Sequence, residues 1–196
     1  MYSGSRVRNG EPVEVALYTG MRRGEVLGLK PEHVNLERVP RSFIVKGEAW
    51  VIRPGWLLIE KSKNGKPRTI PMRGRVRRVI ERLCAEDTAG GYVFESIRTG
   101  RKITDVKRGF TSACLEAGIE NLTFHDLRHT WSTRAAEMGV PEHVRRDIMG
   151  HSSQSMTGDY THATPEAMED AMERVAHYSV NYGRITAKTR KRQGLR

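Results

Sequence analysis

Three short runs of strand-forming residues follow one another between residues 43 and 59: Phe43-Ile44-Val45, Trp50-Val51-Ile52 and Leu57-Leu58-Ile59. They are separated by Gly47 and by Pro54-Gly55, which punctuate strands as turns. Almost everywhere else the apolar residues keep helical spacing. This confines the strands to one region and predicts an α+β domain, mainly α-helical, with a small antiparallel β-sheet. Asn64-Gly65 lies between Leu57–Lys63 and Lys66–Met72. It is the preferred pair for a two-residue hairpin turn, because both positions tolerate positive φ. The last hairpin is therefore expected to turn there, with Lys63 at its mouth.

The helical segments carry their own punctuation. Pro12 opens a short helix bearing Val13 and Leu17, stopped by Gly20, and a second short helix runs from Gly24 to Leu29. Val76, Val79, Ile80 and Leu83 share one helical face, and so do Val106, Phe110, Ala113 and Ala117, ended by Gly118. Thr123 is a candidate N-cap with Asp126 at the third helical position, a variant of the capping box. Leu127, Trp131, Ala135 and Met138 form the buried stripe of that helix, and Gly139 stops it. Pro141 opens the next helix, with Val144 and Ile148 inward and Gly150 at its end. Thr164-Pro165 opens the last, with Met168, Met172, Val175 and Ala176 on one side. That stripe suits either this chain's own core or a neighbouring protomer, since helical spacing does not choose a partner.

The chain has 196 residues and a formal charge of +11, with lysines and arginines spread throughout rather than gathered in a tail. Such a surplus favours a polyanionic partner, most often nucleic acid. Cys84 and Cys114 are isolated thiols without metal-binding or disulfide spacing, and Cys114 falls in a core-facing helical pattern. There is no apolar run of bilayer-spanning length and no signal peptide, so no membrane association is expected and the protein is placed in the cytoplasm.

Three separated segments carry the chemistry: Thr19-Gly20-Met21-Arg22-Arg23-Gly24-Glu25, then Thr123-Phe124-His125-Asp126-Leu127-Arg128-His129, then Gly150-His151-Ser152-Ser153 followed by Tyr160. Two arginines, two histidines and a tyrosine are a set for holding a phosphodiester and attacking it with a phenol. Arginine suits the anion, because its planar fork gives two donors to one phosphate and stays charged. If Thr123 caps its helix, His125 and Arg128 share a face near the helix N-terminus, whose partial positive charge also favours phosphate. A different class must be weighed on the same residues. His125-Asp126-Leu127-Arg128-His129 resembles the zincin pattern, and histidines at i and i+4 can bind zinc. Its base would be one methylene too short, and no third ligand follows at the usual spacing, so zinc metallohydrolysis is a remote alternative.

Taken together and in order, these motifs resemble the catalytic domain of the tyrosine recombinases, the phage-integrase family, from about Val15 to about Tyr178. The resemblance implies site-specific DNA recombination by strand cleavage and rejoining through a 3′-phosphotyrosyl intermediate. It makes Arg22, and not Arg23, catalytic, with Arg128, His125 and His151 as further phosphate ligands and Tyr160 as nucleophile. Glu25 becomes the acid that buttresses the arginines. Lys63 is the best match to the family's hairpin lysine, the proton donor to the leaving 5′ oxygen, with Lys61 and Lys66 as rivals. Neither a cofactor nor a metal is implied. The implied partner is double-stranded DNA, bound as a homotetramer assembled through the C-terminal helix. Residues 1–186 are expected to form the catalytic domain and residues 187–196 a basic tail. The family's N-terminal DNA-clamping domain has no counterpart in the sequence, so a DNA-binding remnant without autonomous activity is the alternative function.

Overall fold

The computed structural model describes residues 10–60, 66–86, 90–96, 99–151 and 162–192, with side chains as far as Tyr178. The first helix, α1 (Glu11–Thr19), has Pro12 in its first turn and ends at Gly20, whose φ of 67° is left-handed. Glycine is required there twice over, because a Cβ would also lie 3.0 Å from the Trp131 ring. Helix α2 (Arg23–Leu27) starts immediately afterwards from an extended Arg22.

Strands β1 (Arg41–Val45) and β2 (Glu48–Ile52) pair antiparallel across Lys46-Gly47, both at positive φ, the conformation of a two-residue hairpin turn. Strands β3 (Trp56–Ile59) and β4 (Arg68–Pro71) form a second antiparallel ladder. The single sheet expected from the sequence is thus two separate two-stranded ladders. The reason lies at the other edge of β3, which is occupied by Val34 and Asn35. Val34 bridges Leu57, the Asn35 N–H donates to the Trp56 carbonyl at 2.9 Å, and the Asn35 amide donates to the Ile52 carbonyl at 2.7 Å. With that edge filled, β2 cannot join β3.

The β3–β4 register differs by two residues from the one that a regular ladder running to Asn64-Gly65 implies. A plain two-residue turn at Asn64-Gly65 would pair Ile59 with Ile70, whereas Ile59 pairs with Arg68. The shift of two residues keeps every side chain on its expected face. Residues 61–65 between the two strands, Lys63 among them, lie outside the described residues.

In helix α3 (Gly74–Ala85) Val76, Ile80 and Leu83 are buried as their spacing requires. In helix α4 (Lys107–Glu116) Phe110 and Cys114 face inward, while Ala113 and Ala117 are exposed. The larger side chains at i and i+4 win the core because they remove more apolar surface from water. Helix α5 (Asp126–Glu137) buries Leu127, Trp131 and Ala135. Its N-cap is His125 rather than Thr123. The Asp126 carboxylate accepts both the Thr123 N–H and its hydroxyl at 2.7 Å, so the Thr123 oxygen donates to a charge rather than accepting from the helix. Helix α6 (Glu142–Met149) turns Val144 and Ile148 inward and ends at a left-handed Gly150.

Helix α7 (Pro165–Arg192) is capped by Thr164, whose hydroxyl accepts the Ala167 N–H at 3.2 Å. It packs against α1, α3, α5, α6 and β4. Met168, Met172 and Val175 are buried within this chain, Val175 completely. The stripe offered to a neighbouring protomer is therefore committed to the protein's own core. Trp56 and Arg73 fix the same helix from the sheet side through Glu169, at 2.8 and 2.7 Å. No helix among the described residues is long and apolar enough to cross a membrane.

Candidate active site

The site is assembled around one carboxylate. Glu25, in the first turn of α2, accepts the Arg22 backbone N–H at 2.9 Å and the Arg22 guanidinium at 3.1 Å. From β4, Arg68 meets the same carboxylate with both terminal nitrogens, at 3.0 and 2.8 Å. Burial alone would raise the Glu25 pKa, but the Arg68 and Arg22 contacts outweigh it and hold the carboxyl below its ordinary value.

Arg128 lies in the first turn of α5 and is almost wholly buried. It donates to the Gly20 carbonyl at 2.5 Å and to the Met149 carbonyl at 2.7 Å. Both acceptors belong to the C-terminal ends of helices, α1 and α6, where carbonyls lack an intrahelical partner and carry partial negative charge. One guanidinium thus joins the turn before Arg22 to the turn before His151. Burial, and then the positive charge of Arg22, push the Arg128 pKa down to about 10, so it stays charged at neutral pH.

His151 follows Gly150 directly and its N–H donates to the Arg146 carbonyl at 3.1 Å. Loss of hydration, then the charges of Arg128, Arg22, Arg68 and His129, hold its imidazole below the ordinary pKa. His125 is lowered in the same way, by desolvation and then by His129, Arg128 and Arg22, with Asp126 opposing. The His125 and His129 rings meet edge to face at 4.9 Å. Four predicted residues, Arg22, His125, Arg128 and His151, are therefore close enough to share one electrostatic environment. Three of them, Arg22, His125 and Arg128, face a cleft of about 500 Å³ whose walls also include Lys107, Phe110 and Phe124.

Tyr160 and Lys63, like Lys61, lie outside the described residues. The ends of the segment bearing Tyr160 are nonetheless fixed. His151 is held to Arg146, and the Ala163 N–H donates to the Asp147 carboxylate at 2.7 Å, so both ends meet α6. The zincin-like pattern fares differently. Asp126 is engaged by Thr123 rather than poised between the two imidazoles. Among the described residues no group of three histidine, cysteine or acidic side chains is arranged to hold a metal ion.

The model of the phage integrase family matches residues 3–167. The chain belongs to that family. It is 32% identical over 186 residues to a XerC-like tyrosine recombinase of Caldanaerobacter subterraneus, covering 81% of this chain and 46% of that protein. It is 30% identical over 161 residues to the tyrosine recombinase XerA of Pyrococcus furiosus, covering 80% of this chain and 50% of that one. The chain thus spans about half the length of these relatives. Among solved structures, the integrase of mycobacterium phage Brujita superposes with a TM-score of 0.59 at 22% identity, over 89% of this chain and 53% of that one. A lambda integrase dimer bound to a COC′ core site gives a TM-score of 0.54 at 25% identity, over 80% and 54%.

Sequence reasoning missed one residue of this integrase-family site, Arg68. Beyond Glu25, its Nε donates to the Ile148 carbonyl at 2.9 Å. A signal was present. Arg68 and Ile70 share a face of β4, and both are buried. A charge on the core face of a strand needs a buried partner, and Glu25 was already expected near the arginines.

Proposed function

We propose that this domain cleaves and rejoins duplex DNA through Tyr160, forming a 3′-phosphotyrosyl link. The supporting observation is the convergence of Arg22, His125, Arg128 and His151, from three distant segments, around one cationic site beside an open cleft. Arg22 and Arg128 take the nonbridging oxygens of the scissile phosphate, and His125 and His151 donate further hydrogen bonds. The Tyr160 phenol gives its proton to water, its oxygen attacks phosphorus and the bond to the 5′ oxygen breaks. That oxygen takes a proton from Lys63, the choice among Lys61, Lys63 and Lys66. Attack by a 5′ hydroxyl on the phosphotyrosine reverses the step, and the ester conserves the bond energy. Tyr160 precedes Ala163 by three residues, a reach of about 10 Å at full extension. Ala163 is bound to Asp147, two residues before Met149, whose carbonyl is held by Arg128.

On this reading residues 1–186 are the catalytic domain and 187–196 a basic tail. The partner is double-stranded DNA in the cytoplasm, and the complex is a homotetramer to which the C-terminal helix contributes. The DNA-bound lambda integrase dimer supports assembly on DNA.

The test is a nicked suicide duplex carrying the recombination site, with covalent adduct read on a denaturing gel. Wild type forms adduct and Tyr160→Phe forms none; adduct in Tyr160→Phe removes the nucleophile. A wild type that binds DNA with a steep salt dependence, log–log slope about −0.9 per phosphate contacted, yet forms no adduct is the non-catalytic DNA-binding remnant.

A further inference from the structure

We propose that Arg68 is a positioning residue that fixes His151 relative to Arg22 by holding the end of α6 and the Glu25 turn in a single guanidinium. This rests on the cleavage reading for its effect on rate, though not for its geometry. Three Arg68 nitrogens reach three acceptors, Glu25 Oε1 at 3.0 Å, Glu25 Oε2 at 2.8 Å and the Ile148 carbonyl at 2.9 Å. The backbone leading to His151 rests directly on the same group. A Cβ built on Gly150 would lie 2.9 Å from Arg68 Nη1 and 3.0 Å from its Cζ, and Gly150 is left-handed with φ of 67°. Gly150 is the residue that lets the chain leave α6 across the face of this guanidinium.

Arg128 makes a parallel bridge, from the Gly20 carbonyl to the Met149 carbonyl. Arg128 is also the group assigned to phosphate, so its hold on α6 competes with its chemistry. Arg68 is only 9% exposed and is committed to protein acceptors. It keeps α6 in place whether or not a phosphate is bound, and it does so from β4, an element that contributes no phosphate ligand. Its planar fork is what the task needs. A lysine carries the same charge, but its one nitrogen cannot span two carboxylate oxygens and a carbonyl in the same plane.

The experiment compares Arg68→Lys and Arg68→Met with wild type in the full chain. Adduct formation on the suicide duplex slows by about a hundredfold in both, the usual cost of displacing a reacting group by about 1 Å. Noncovalent affinity for the same duplex at matched salt stays within about threefold, which separates positioning from binding. The second readout needs no catalysis. The His151 imidazole is titrated by NMR in the free protein and assigned with His151→Gln. Its pKa, held below the ordinary value by desolvation and by Arg128, Arg22, Arg68 and His129, moves upward in both variants as the ring leaves that environment. Arg68→Lys decides the matter, since it keeps the charge and is the milder change if Arg68→Met fails to fold. An unchanged His151 titration in folded Arg68→Lys overturns the proposal, and so does an adduct rate within twofold of wild type. Absence of adduct in wild type, with His151 displaced in both variants, removes the cleavage reading and leaves the positioning role standing.

Discussion

Replacing Glu25 by glutamine tests whether the site is held by its central carboxylate. Glu25 accepts four N–H groups at 2.8–3.1 Å, two from Arg22 and two from Arg68. Glutamine is nearly isosteric but offers a single acceptor oxygen, and its NH₂ faces donors. The Arg22 side chain is 22% exposed and can turn to water, so most of its loss is recovered. Arg68 is too enclosed to do so. Its guanidinium is left buried without its counter-charge, the situation in which breaking a pair costs about 3–5 kcal/mol. Discounting Arg22, the expected loss is about 3 kcal/mol, a large part of a domain stability of about 5–15 kcal/mol. The assay is urea denaturation at pH 7, with the slope checked for two-state behaviour. The control is Asp170→Asn, which breaks an exposed pair with Arg174, side chains 57% and 46% exposed, and should change stability by less than about 1 kcal/mol. The pH dependence has a fixed sign. The folded Glu25 pKa lies below the unfolded value of 4.5, so its contribution is complete above that value and is lost as pH falls through the folded pKa. The gap between wild type and Glu25→Gln therefore narrows in acid. A difference under about 1 kcal/mol at pH 7, or a gap that widens below pH 4.5, refutes the reasoning.

Gly20→Ala must accept a left-handed φ of 67° and a Cβ 3.0 Å from Trp131, which together cost about 2–4 kcal/mol. It also displaces the carbonyl that holds Arg128, so adduct formation falls with stability. Gly10→Ala, with nothing within 4 Å of its Cβ, melts like wild type, and equal melting of the two variants would refute the account of Gly20. Met172→Ala opens a cavity in the core and costs about 2–5 kcal/mol. Its melting temperature should fall by the same amount at every protein concentration, whereas a concentration-dependent shift would place Met172 in an interface between protomers.

Much of this architecture was legible in the sequence because its signals are local. Gly20 and Gly150 mark helix ends because a left-handed residue closes a helix, and the apolar spacing of α3, α5 and α7 selects one face each. The family motifs at Arg22, Glu25, His125, Arg128 and His151 lead to residues that share one electrostatic environment in the structure. What was not legible depends on distant segments meeting. That β3 pairs with Val34 and Asn35 rather than with β2 is settled by an asparagine whose amide reaches the Ile52 carbonyl, and no periodicity announces it. The partner of the Met168–Val175 stripe is a tertiary fact that a stripe alone does not contain. Arg68 was overlooked because a lone arginine beside a proline-flanked turn reads as solvated; only its alternation with Ile70 marks it as inward. Thr123 was assigned the acceptor's role because capping rules describe the common case, and here a neighbouring carboxylate takes the hydroxyl proton.

The pattern of charges explains why one carboxylate stands among so many cations. Arg22, Arg68 and Arg128 surround Glu25, which compensates one of the three and leaves two positive charges uncompensated. The histidines add little to this, since desolvation and the neighbouring cations hold His125 and His151 below the ordinary imidazole pKa and favour their neutral forms. They can donate a hydrogen bond without contributing repulsion to an already cationic centre. A phosphodiester bears one negative charge, and the pentacoordinate species formed when a phenolate attacks it bears two. On the cleavage reading the uncompensated charge therefore matches the transition state rather than the bound substrate, which is the condition for accelerating a step instead of merely tightening binding. Without Glu25 the three guanidiniums would repel one another in a partly desolvated space. With a second carboxylate the centre would hold a resting phosphate but lack the excess needed as charge develops. Arg68 satisfies both demands at once: it neutralises Glu25 from the buried side, and so leaves the partly exposed guanidinium of Arg22 available to the cleft.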